Sequence, residues 1–281
     1  MNKYFQLIRI QNLAIAIIAV LIANYMIKDT NFELLVLSII CVCLTMAFGN
    51  VLNDVLDLES DYISHPQRPI PLNNITVIKA KKIAIILLLI IFIVSFFLNI
   101  YALNIYALMF LIFIIIPMLI GYNFFLKGVP LVGNITVSLL LSFVFIFTEI
   151  VFLQEIQITI IPSLLVFGLS FIREFIKDIH DYDGDKRYGV NTLPVIIGQS
   201  RSLYLSVVFI CIFSVFAFIP YFSKYYNIKY FISLIILVEI PLFLLVSLLI
   251  KNPDKLMLIK IISWLKMINI AGLLVILISN N

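Results

Sequence analysis

The stretch AKKIAIILLLIIFIVSFFLNIY, residues 80–101, decides what kind of fold this chain can adopt. After its two lysines it contains no charged residue, and almost every side chain is aliphatic or aromatic. An α-helix needs about 20 apolar residues to cross the hydrocarbon core of a bilayer. The stretch therefore predicts a membrane-spanning helix.

The same pattern recurs along the whole chain. Of its 281 residues 63% are hydrophobic and 12% charged, and the mean hydropathy is +1.18, whereas soluble domains contain about 25% charged residues. The sequence predicts an all-α polytopic membrane protein with nine transmembrane helices in a single domain, residues 1–281, although 80–120 can be divided in more than one way. The apolar runs are residues 9–27, 33–53, 80–101, 104–120, 131–152, 158–176, 202–222, 229–250 and 257–279.

Lysine and arginine are distributed unevenly between the predicted loops. The N-terminus and the loops after the second, fourth, sixth and eighth helices contain most of them, whereas the opposite loops contain only Lys28, Lys224 and Lys229. Cytoplasmic loops carry the excess of Lys and Arg in membrane proteins. We therefore expect a multi-pass protein of the cell membrane with a cytoplasmic N-terminus. The first apolar run has no small-residue cleavage site after it and is expected to be a retained helix.

Two acid-rich stretches fall on the predicted cytoplasmic side. NDVLDLESDYISHPQRP, residues 53–69, follows the second helix, and REFIKDIHDYDGDKRYG, residues 173–189, follows the sixth. Spacings of three, four and seven residues put side chains on one face of an α-helix. Two sets would share a face when each is placed on one helix: Asn50, Asn53, Asp54, Asp57 and Asp61, and Glu174, Asp178, Asp181 and Asp185.

Carboxylates on one helical face repel each other, and their desolvation near lipid adds a further cost. Mg²⁺ offsets such charge in proteins, where it is typically held by one or two carboxylates together with substrate phosphates. The two sets, facing each other, therefore predict a site for Mg²⁺ ions and a diphosphate. The basic residues expected to contact its phosphate oxygens are Arg68, Lys127, Arg173 and Lys177.

Three polar residues are not expected to join these faces. Glu59, His180 and Asp183 point away from the acidic faces when the helices are drawn with 100° per residue. Gly184 is expected to end the second helix, because glycine commonly follows the last helical turn. Asp185 is then the least securely placed of the acids.

Both acidic stretches resemble motifs of the UbiA superfamily of intramembrane prenyltransferases. NDVLDLESD resembles its NDxxDxxxD motif, and KDIHDYDGD followed by GVNTLP resembles its second Asp motif. The resemblance extends to RIQN at residues 9–12, HPQRPIP at 65–71 and YNFFLKGVPLVGN at 122–134. It covers the first six predicted helices and the start of the seventh.

The resemblance implies nine helices around a central, mostly apolar cavity with a cytoplasmic polar cap. It implies Mg²⁺-dependent transfer of a prenyl group from a prenyl diphosphate to an acceptor, with membrane lipids and no nucleic acid as partners. By matching position, the residues implied to bind Mg²⁺ and diphosphate are Asn53, Asp57, Asp61, Asp181 and Asp185, supported by Asp54 and Asp178. The residues implied to contact the substrate are Arg68, Lys127 and Lys177 at the phosphates, and Tyr122 and Asn12 near the reacting carbon.

The acceptor is less well determined. The stretches 65–71 and 173–194 resemble most the branch that transfers geranylgeranyl to geranylgeranylglyceryl phosphate in ether lipid synthesis. The chain departs from the pattern of that branch at two places. His180 and Asp183 stand where the branch usually has Glu, and Leu72 and Asn73 stand where it usually has Ser-Gly. Prenylation of an aromatic, quinone-precursor type acceptor and cyclisation of a prenyl diphosphate remain alternatives. An ion or phosphate transporter is an alternative from another class.

Overall fold

The computed structural model describes residues 2–280, and every regular element within them is a helix. The described residues form nine long helices, which match the nine predicted apolar runs one to one. The helices are α1 Ile10–Ile27, α2 Phe32–Leu56, α3 Val77–Ala102, α4 Ile105–Leu126, α5 Val132–Leu153, α6 Ile160–Arg187, α7 Gln199–Phe222, α8 Ile228–Leu249 and α9 Lys255–Ser279. Three short helices are Lys3–Leu7, Leu58–Ser64 and Leu193–Ile197.

Eight of the described helices are long and apolar enough to cross a membrane. The exception is α6, whose first turns are apolar but whose later part carries Arg173, Glu174 and Lys177. The chain is thus an integral, multi-pass membrane protein. The number of nine spans stays a prediction, because it depends on whether α6 crosses the bilayer despite these charges.

Helix α3 shows how the apolar sequence becomes packing. Its buried residues recur at spacings of three, four and seven, so they form one stripe, and the helix packs mainly against α2. Large side chains on its other sides, such as Ile85, Leu89 and Phe96, are exposed. A contiguous apolar surface of this kind is rare on a soluble monomer and is suited to contact with lipid.

Helices α4 and α8 each contain a π-helical turn just before a proline. Leu111–Ile115 precedes Pro117, and Ile235–Glu239 precedes Pro241. Proline lacks an N–H donor and its ring presses on the carbonyl of the preceding turn. A widened turn relieves that contact. A third π turn, Tyr122–Leu126, ends α4 and consists of the first five residues of the YNFFLKGVPLVGN motif.

A buried carboxylate near the end of α5 organises the connection to α6. Glu149 is fully buried, and its carboxylate oxygens accept the backbone N–H groups of Gln157, Ile158 and Thr159 at 2.9, 2.7 and 2.9 Å. The Thr159 hydroxyl also donates to it, at 2.6 Å. Glu149 thus satisfies donors that precede the first turn of α6, which otherwise have no helical partner.

The chain forms two compact units. The first comprises the residues up to Leu126 together with Phe143–Ile160. Within it α2 packs against α1 and α3, and it approaches α4 at Gly49. A Cβ atom on Gly49 would lie 2.9 Å from Leu119 Cδ1, so the close approach requires glycine.

The second unit comprises Lys127–Ser142 and the chain from Ile161 onward. Apolar side chains of α6, α7, α8 and α9 share its core. Helices α6 and α7 meet at Gly168, where a Cβ atom would lie 2.5 Å from Phe213 Cδ2. The expectation that residues 1–281 form a single domain remains a prediction.

Candidate active site

The first acidic cluster, Asn53, Asp54, Asp57 and Asp61, lies at the end of α2 and on the short helix after it. The acids are not on one uninterrupted helix, because α2 ends at Leu56 and Asp57 has φ −88° and ψ 6°. The N–H of Asp57 still donates to Asn53 O at 2.9 Å, and the N–H of Asp61 donates to Asp57 O at 2.9 Å. The helical spacing therefore continues across a bend.

Two acids of this cluster are buried in ion pairs with arginine. Asp54 is 1% exposed, and its Oδ1 lies 2.6 Å from Arg9 Nη2 and 3.4 Å from Arg68 Nη1. Asp61 Oδ2 lies 2.5 Å from Arg68 Nη1. Burial raises the pKa of Asp61 above its ordinary value, and the attraction of Arg68 opposes this rise without cancelling it. Asp57 is half-buried.

Amide side chains connect this cluster to α1 and α4. Asn53 Oδ1 accepts from Arg9 Nη2 at 3.3 Å, and Asn53 Nδ2 donates to Asn123 Oδ1 at 3.3 Å. Asn123 lies in the π turn that ends α4 and donates to Leu119 O at 2.8 Å. The sequence did not single out Arg9 or Asn123 as site residues, although both lie in the quoted RIQN and YNFF motifs. Asn12 and Tyr122, which it did single out, are half-buried.

The second acidic cluster, Asp178, Asp181 and Asp185, lies on α6. The prediction that Gly184 ends this helix is wrong, since α6 continues to Arg187. The left-handed residue is Gly189, with φ 70°, and the N–H of Val190 donates to Asp185 O at 2.9 Å. This bond is typical of a glycine-terminated helix, so Asp185 lies within the last turns of α6.

Uncharged or weakly basic side chains contact the second cluster. Asn134 Nδ2 donates to Asp178 Oδ2 at 2.8 Å, and Thr192 Oγ1 donates to Asp185 Oδ2 at 3.2 Å. His180 is buried, and its Nδ1 lies 2.8 Å from Asp181 Oδ1, so the prediction that it points away from the acids is wrong. The predicted outward position of Glu59 and Asp183 agrees with their exposure.

Two carboxylates of the second cluster, those of Asp178 and Asp185, resist ionisation. Burial raises the pKa of Asp178 to about 7, against the lowering effects of Asn134 and Lys177. Burial and then the negative charge of Asp181 raise the pKa of Asp185 to about 6, while Lys127 lowers it. A group of carboxylates that destabilise one another's charge is suited to binding a cation.

Basic residues lie on α6 just before this cluster. Arg173 Nη1 donates to Glu174 Oε1 at 2.8 Å, and Lys177 Nζ lies 3.5 Å from Glu174 Oε2. The Nε of Arg173 is buried and has no hydrogen-bond partner. Glu174 therefore contacts two cations, and the Nε–H of Arg173 has no hydrogen-bond acceptor.

The sequence model of the UbiA prenyltransferase family matches residues 12–265. This protein belongs to the UbiA prenyltransferase family. The match spans the segments that contain both acidic clusters of this UbiA protein.

Curated UbiA relatives match nearly the whole chain. Digeranylgeranylglyceryl phosphate synthase of Methanobrevibacter smithii is 31% identical over 268 residues, which cover 95% of this chain and 93% of the relative. The enzyme of the same name from Sulfurisphaera tokodaii is 35% identical over 251 residues, which cover 88% of this chain and 87% of the relative.

Solved structures agree with the fold. A structure of digeranylgeranylglyceryl phosphate synthase in membranes is 30% identical, with a TM-score of 0.70, and the match covers 99% of this chain and 97% of that one. The apo structure of a UbiA homologue from Aeropyrum pernix K1 is 16% identical, with a TM-score of 0.72 and 96% of each chain covered. The helical architecture is therefore that of UbiA proteins, and the chain is a prenyltransferase.

Proposed function

We propose that this prenyltransferase transfers a geranylgeranyl group from geranylgeranyl diphosphate to the free hydroxyl of geranylgeranylglyceryl phosphate. The C–O bond to diphosphate breaks, the acceptor oxygen forms a new ether bond to the prenyl carbon, and the hydroxyl proton is lost. The product would be a membrane ether lipid. The observation that carries the proposal is the similarity, across most of the chain, to relatives named digeranylgeranylglyceryl phosphate synthase.

The donor atoms fit a divalent cation such as Mg²⁺. Carboxylate and amide oxygens are the ligands that Mg²⁺ prefers. Burial raises the pKa values of Asp178 and Asp185 despite the positive charge of Lys177, so a bound cation would stabilise their ionised forms. A UbiA homologue from Archaeoglobus fulgidus has been solved bound to GPP and Mg²⁺. When bound, Mg²⁺ would stabilise the negative charge that develops on the leaving diphosphate. The residues that would hold it are Asn53, Asp57, Asp61, Asp181 and Asp185, supported by Asp54 and Asp178.

Residues of the chain would bind and orient the substrates. Arg68, Lys127 and Lys177 would contact the phosphate oxygens, because fixed cations stabilise the departing diphosphate. Asn12 and Tyr122 would lie beside the reacting carbon. Apolar side chains would exclude water, which otherwise captures the allylic cation. This division of roles requires the two acidic clusters to act on one diphosphate.

The side of the membrane follows from the charge distribution. Both acidic clusters belong to the segments with excess Lys and Arg, so we assign the site and the N-terminus to the cytoplasmic face of the cell membrane. Soluble prenyl diphosphate would then reach the site from the cytoplasm, and the lipid acceptor would reach it from the bilayer.

A transfer assay tests the proposed function. Purified protein in detergent with Mg²⁺ and geranylgeranyl diphosphate would be given geranylgeranylglyceryl phosphate, an aromatic quinone precursor, or no acceptor, and products would be identified by mass spectrometry. We expect the digeranylgeranyl lipid and release of diphosphate. Product with the aromatic acceptor alone, or a cyclised hydrocarbon without acceptor, would refute the assigned acceptor. Absence of any diphosphate release with all three would show that the substrates offered are not those of this prenyltransferase.

A further inference from the structure

Asn53 differs chemically from the other residues assigned above to the metal, because all of those are aspartates. A carboxylate presents oxygen on both sides, whereas an amide presents an oxygen on one side and an NH₂ group on the other. Divalent cations such as Mg²⁺ bind oxygen ligands. The value of Asn53 as a ligand therefore depends on which way its amide is turned.

Two hydrogen bonds determine the orientation of the Asn53 amide. On one side its Oδ1 accepts from Arg9 Nη2 at 3.3 Å, and on the other its Nδ2 donates to Asn123 Oδ1 at 3.3 Å. An arginine can only donate. An Asn53 amide that was turned over would place its NH₂ group against Nη2 of Arg9, so this side of the residue requires the oxygen.

Asn123 fixes the other side of Asn53, because the amide of Asn123 is itself oriented by the backbone. Its Nδ2 donates to Leu119 O at 2.8 Å, and a backbone carbonyl can only accept. The Oδ1 of Asn123 therefore faces Asn53, which must offer a donor there. The resulting chain of hydrogen bonds begins at an obligate acceptor, Leu119 O, and ends at an obligate donor, the guanidinium of Arg9.

The packing of α2 against α4 brings the two amides together. A Cβ atom on Gly49 of α2 would lie 2.9 Å from Leu119 Cδ1 of α4, so the helices approach closely at this level. Asn53 and Asn123 each lie four residues further along, about one helical turn. Asn123 also belongs to the π turn Tyr122–Leu126, and turns of this kind are frequent at functional sites.

This orientation places the Asn53 oxygen on the side of the first acidic cluster. The same Arg9 Nη2 that donates to Asn53 Oδ1 also donates to Asp54 Oδ1, at 2.6 Å. An amide oxygen has two lone pairs, of which Arg9 uses one, so Asn53 Oδ1 can accept a second positive group. With the amide turned over, an NH₂ group would take this position and repel a cation.

We propose that Asn123 is a positioning residue that keeps the oxygen of Asn53 in the orientation required of a metal ligand. The proposal rests on the assignment of Asn53 to the metal under the proposed function, and it makes Asn123 act through Asn53. Loss of a side chain that orients a metal ligand typically lowers metal affinity roughly 10- to 100-fold. Since the bond between the amides is 3.3 Å long, we expect the lower end of this range.

Metal binding tests the proposal without any prenyl transfer. Mn²⁺ serves as the probe because, like Mg²⁺, it prefers oxygen ligands, and its binding to purified protein in detergent is measured from the EPR signal of free Mn²⁺. Asn123→Leu preserves the approximate size of the side chain and removes both of its hydrogen bonds. It should raise the Kd for Mn²⁺ by about tenfold. Asn123→Ala, which introduces no bulk between the helices, should do the same.

Asn104→Leu is the matched control on the same helix. Asn104 lies at the opposite end of α4, is buried, and donates through Nδ2 to Ile150 O and Val151 O. Its substitution should lower the Tm and leave the Kd for Mn²⁺ close to the wild-type value. A rise of the Kd in Asn104→Leu equal to that in Asn123→Leu would indicate a general loss of structure and would overturn the positioning role.

A double-mutant cycle with Asn53→Asp separates orientation from packing. A carboxylate presents oxygen whichever way it is turned, so it does not need Asn123 to orient it. In the Asn53→Asp background, Asn123→Leu should therefore leave the Kd for Mn²⁺ unchanged or lower it. A role of Asn123 in helix packing alone would cost the same affinity in both backgrounds, and that result would refute the proposal.

The binding measurements and the transfer assay fail separately. The expected pattern of Mn²⁺ affinities would support the role of Asn123 even if the wild type transferred no prenyl group to the proposed acceptor. Conversely, if the wild type makes the expected lipid and Asn123→Leu binds Mn²⁺ like the wild type, the proposed function stands and the role of Asn123 is refuted. A wild type that binds no Mn²⁺ would refute the assignment of Asn53 to a metal, and the role of Asn123 with it.

Discussion

The two acidic clusters contain the same type of residue in different electrostatic surroundings. Asp54 and Asp61 of the first cluster are held in buried ion pairs by Arg9 and Arg68. Asp178 and Asp185 of the second accept hydrogen bonds from the neutral side chains Asn134 and Thr192. The negative charge of the first pair is therefore compensated by direct ion pairs, whereas that of the second pair is compensated only in part, by the charges of Lys127 and Lys177.

This difference indicates that similar motifs have distinct tasks. An ion pair with an arginine fixes the position of a carboxylate and satisfies its charge. A carboxylate that accepts hydrogen bonds from neutral donors keeps a demand for positive charge, and burial raises the pKa of Asp178 to about 7 and that of Asp185 to about 6. The comparison suggests that the first cluster contributes a rigid frame and the second contributes most of the affinity for a divalent cation.

Metal removal should have the largest effect. Excess EDTA should abolish transfer, because the second cluster repels the diphosphate when no cation lies between them. Mg²⁺ added beyond the chelator should restore the rate, measured as diphosphate release from detergent-solubilised protein. Full turnover in EDTA would break the assignment of both clusters to a metal.

Charge removal within the clusters should have the next largest effect. Asp57→Asn and Asp181→Asn should each lower the rate by about 10²–10³, if each loses about 3–4 kcal/mol of stabilisation. Glu59→Gln and Asp183→Asn are the matched controls, since both acids are exposed. The controls should change the rate little, and equal losses in all four variants would indicate a general electrostatic effect instead of a metal site.

Removing a side chain that contacts the acids should have a smaller effect. The loss of stability should differ between the two acidic clusters. Arg68→Met removes positive charge from the buried carboxylates of Asp54 and Asp61, and it should destabilise the fold by roughly 2–4 kcal/mol. Asn134→Leu removes one neutral donor from Asp178 and should cost about 1 kcal/mol. The Tm values of the two variants, measured in the same detergent, show which substitution destabilises the protein more. A larger loss of Tm in Asn134→Leu would contradict the contrast between the clusters.

The sequence predicted the positions of the long helices well, because these depend on local regularities. All nine apolar runs correspond to described helices, since length and hydropathy are properties of the segment itself. The pattern of Asp178, Asp181 and Asp185 survives because their helix is continuous.

The details that the sequence missed depend on contacts between segments distant in the chain. Arg9 pairs with Asp54, 45 residues later, and Asn134 bonds to Asp178, 44 residues later. No periodicity reveals such pairs. The helix end was assigned to Gly184 because glycine is a local signal, but a second glycine, Gly189, follows and adopts the left-handed conformation that ends α6.

The hydrogen bonds of Glu149 restrict where the loop between α5 and α6 can change its length during evolution. Glu149 lies on α5, and its carboxylate accepts hydrogen bonds from the N–H groups of residues 157–159. These bonds close the loop between α5 and α6 without a covalent link. Insertions within 157–159 would pull donors away from a buried carboxylate that these hydrogen bonds stabilise, whereas insertions before Gln157 only lengthen an exposed segment. Natural length variation among relatives that retain this glutamate should therefore be confined to residues 154–156.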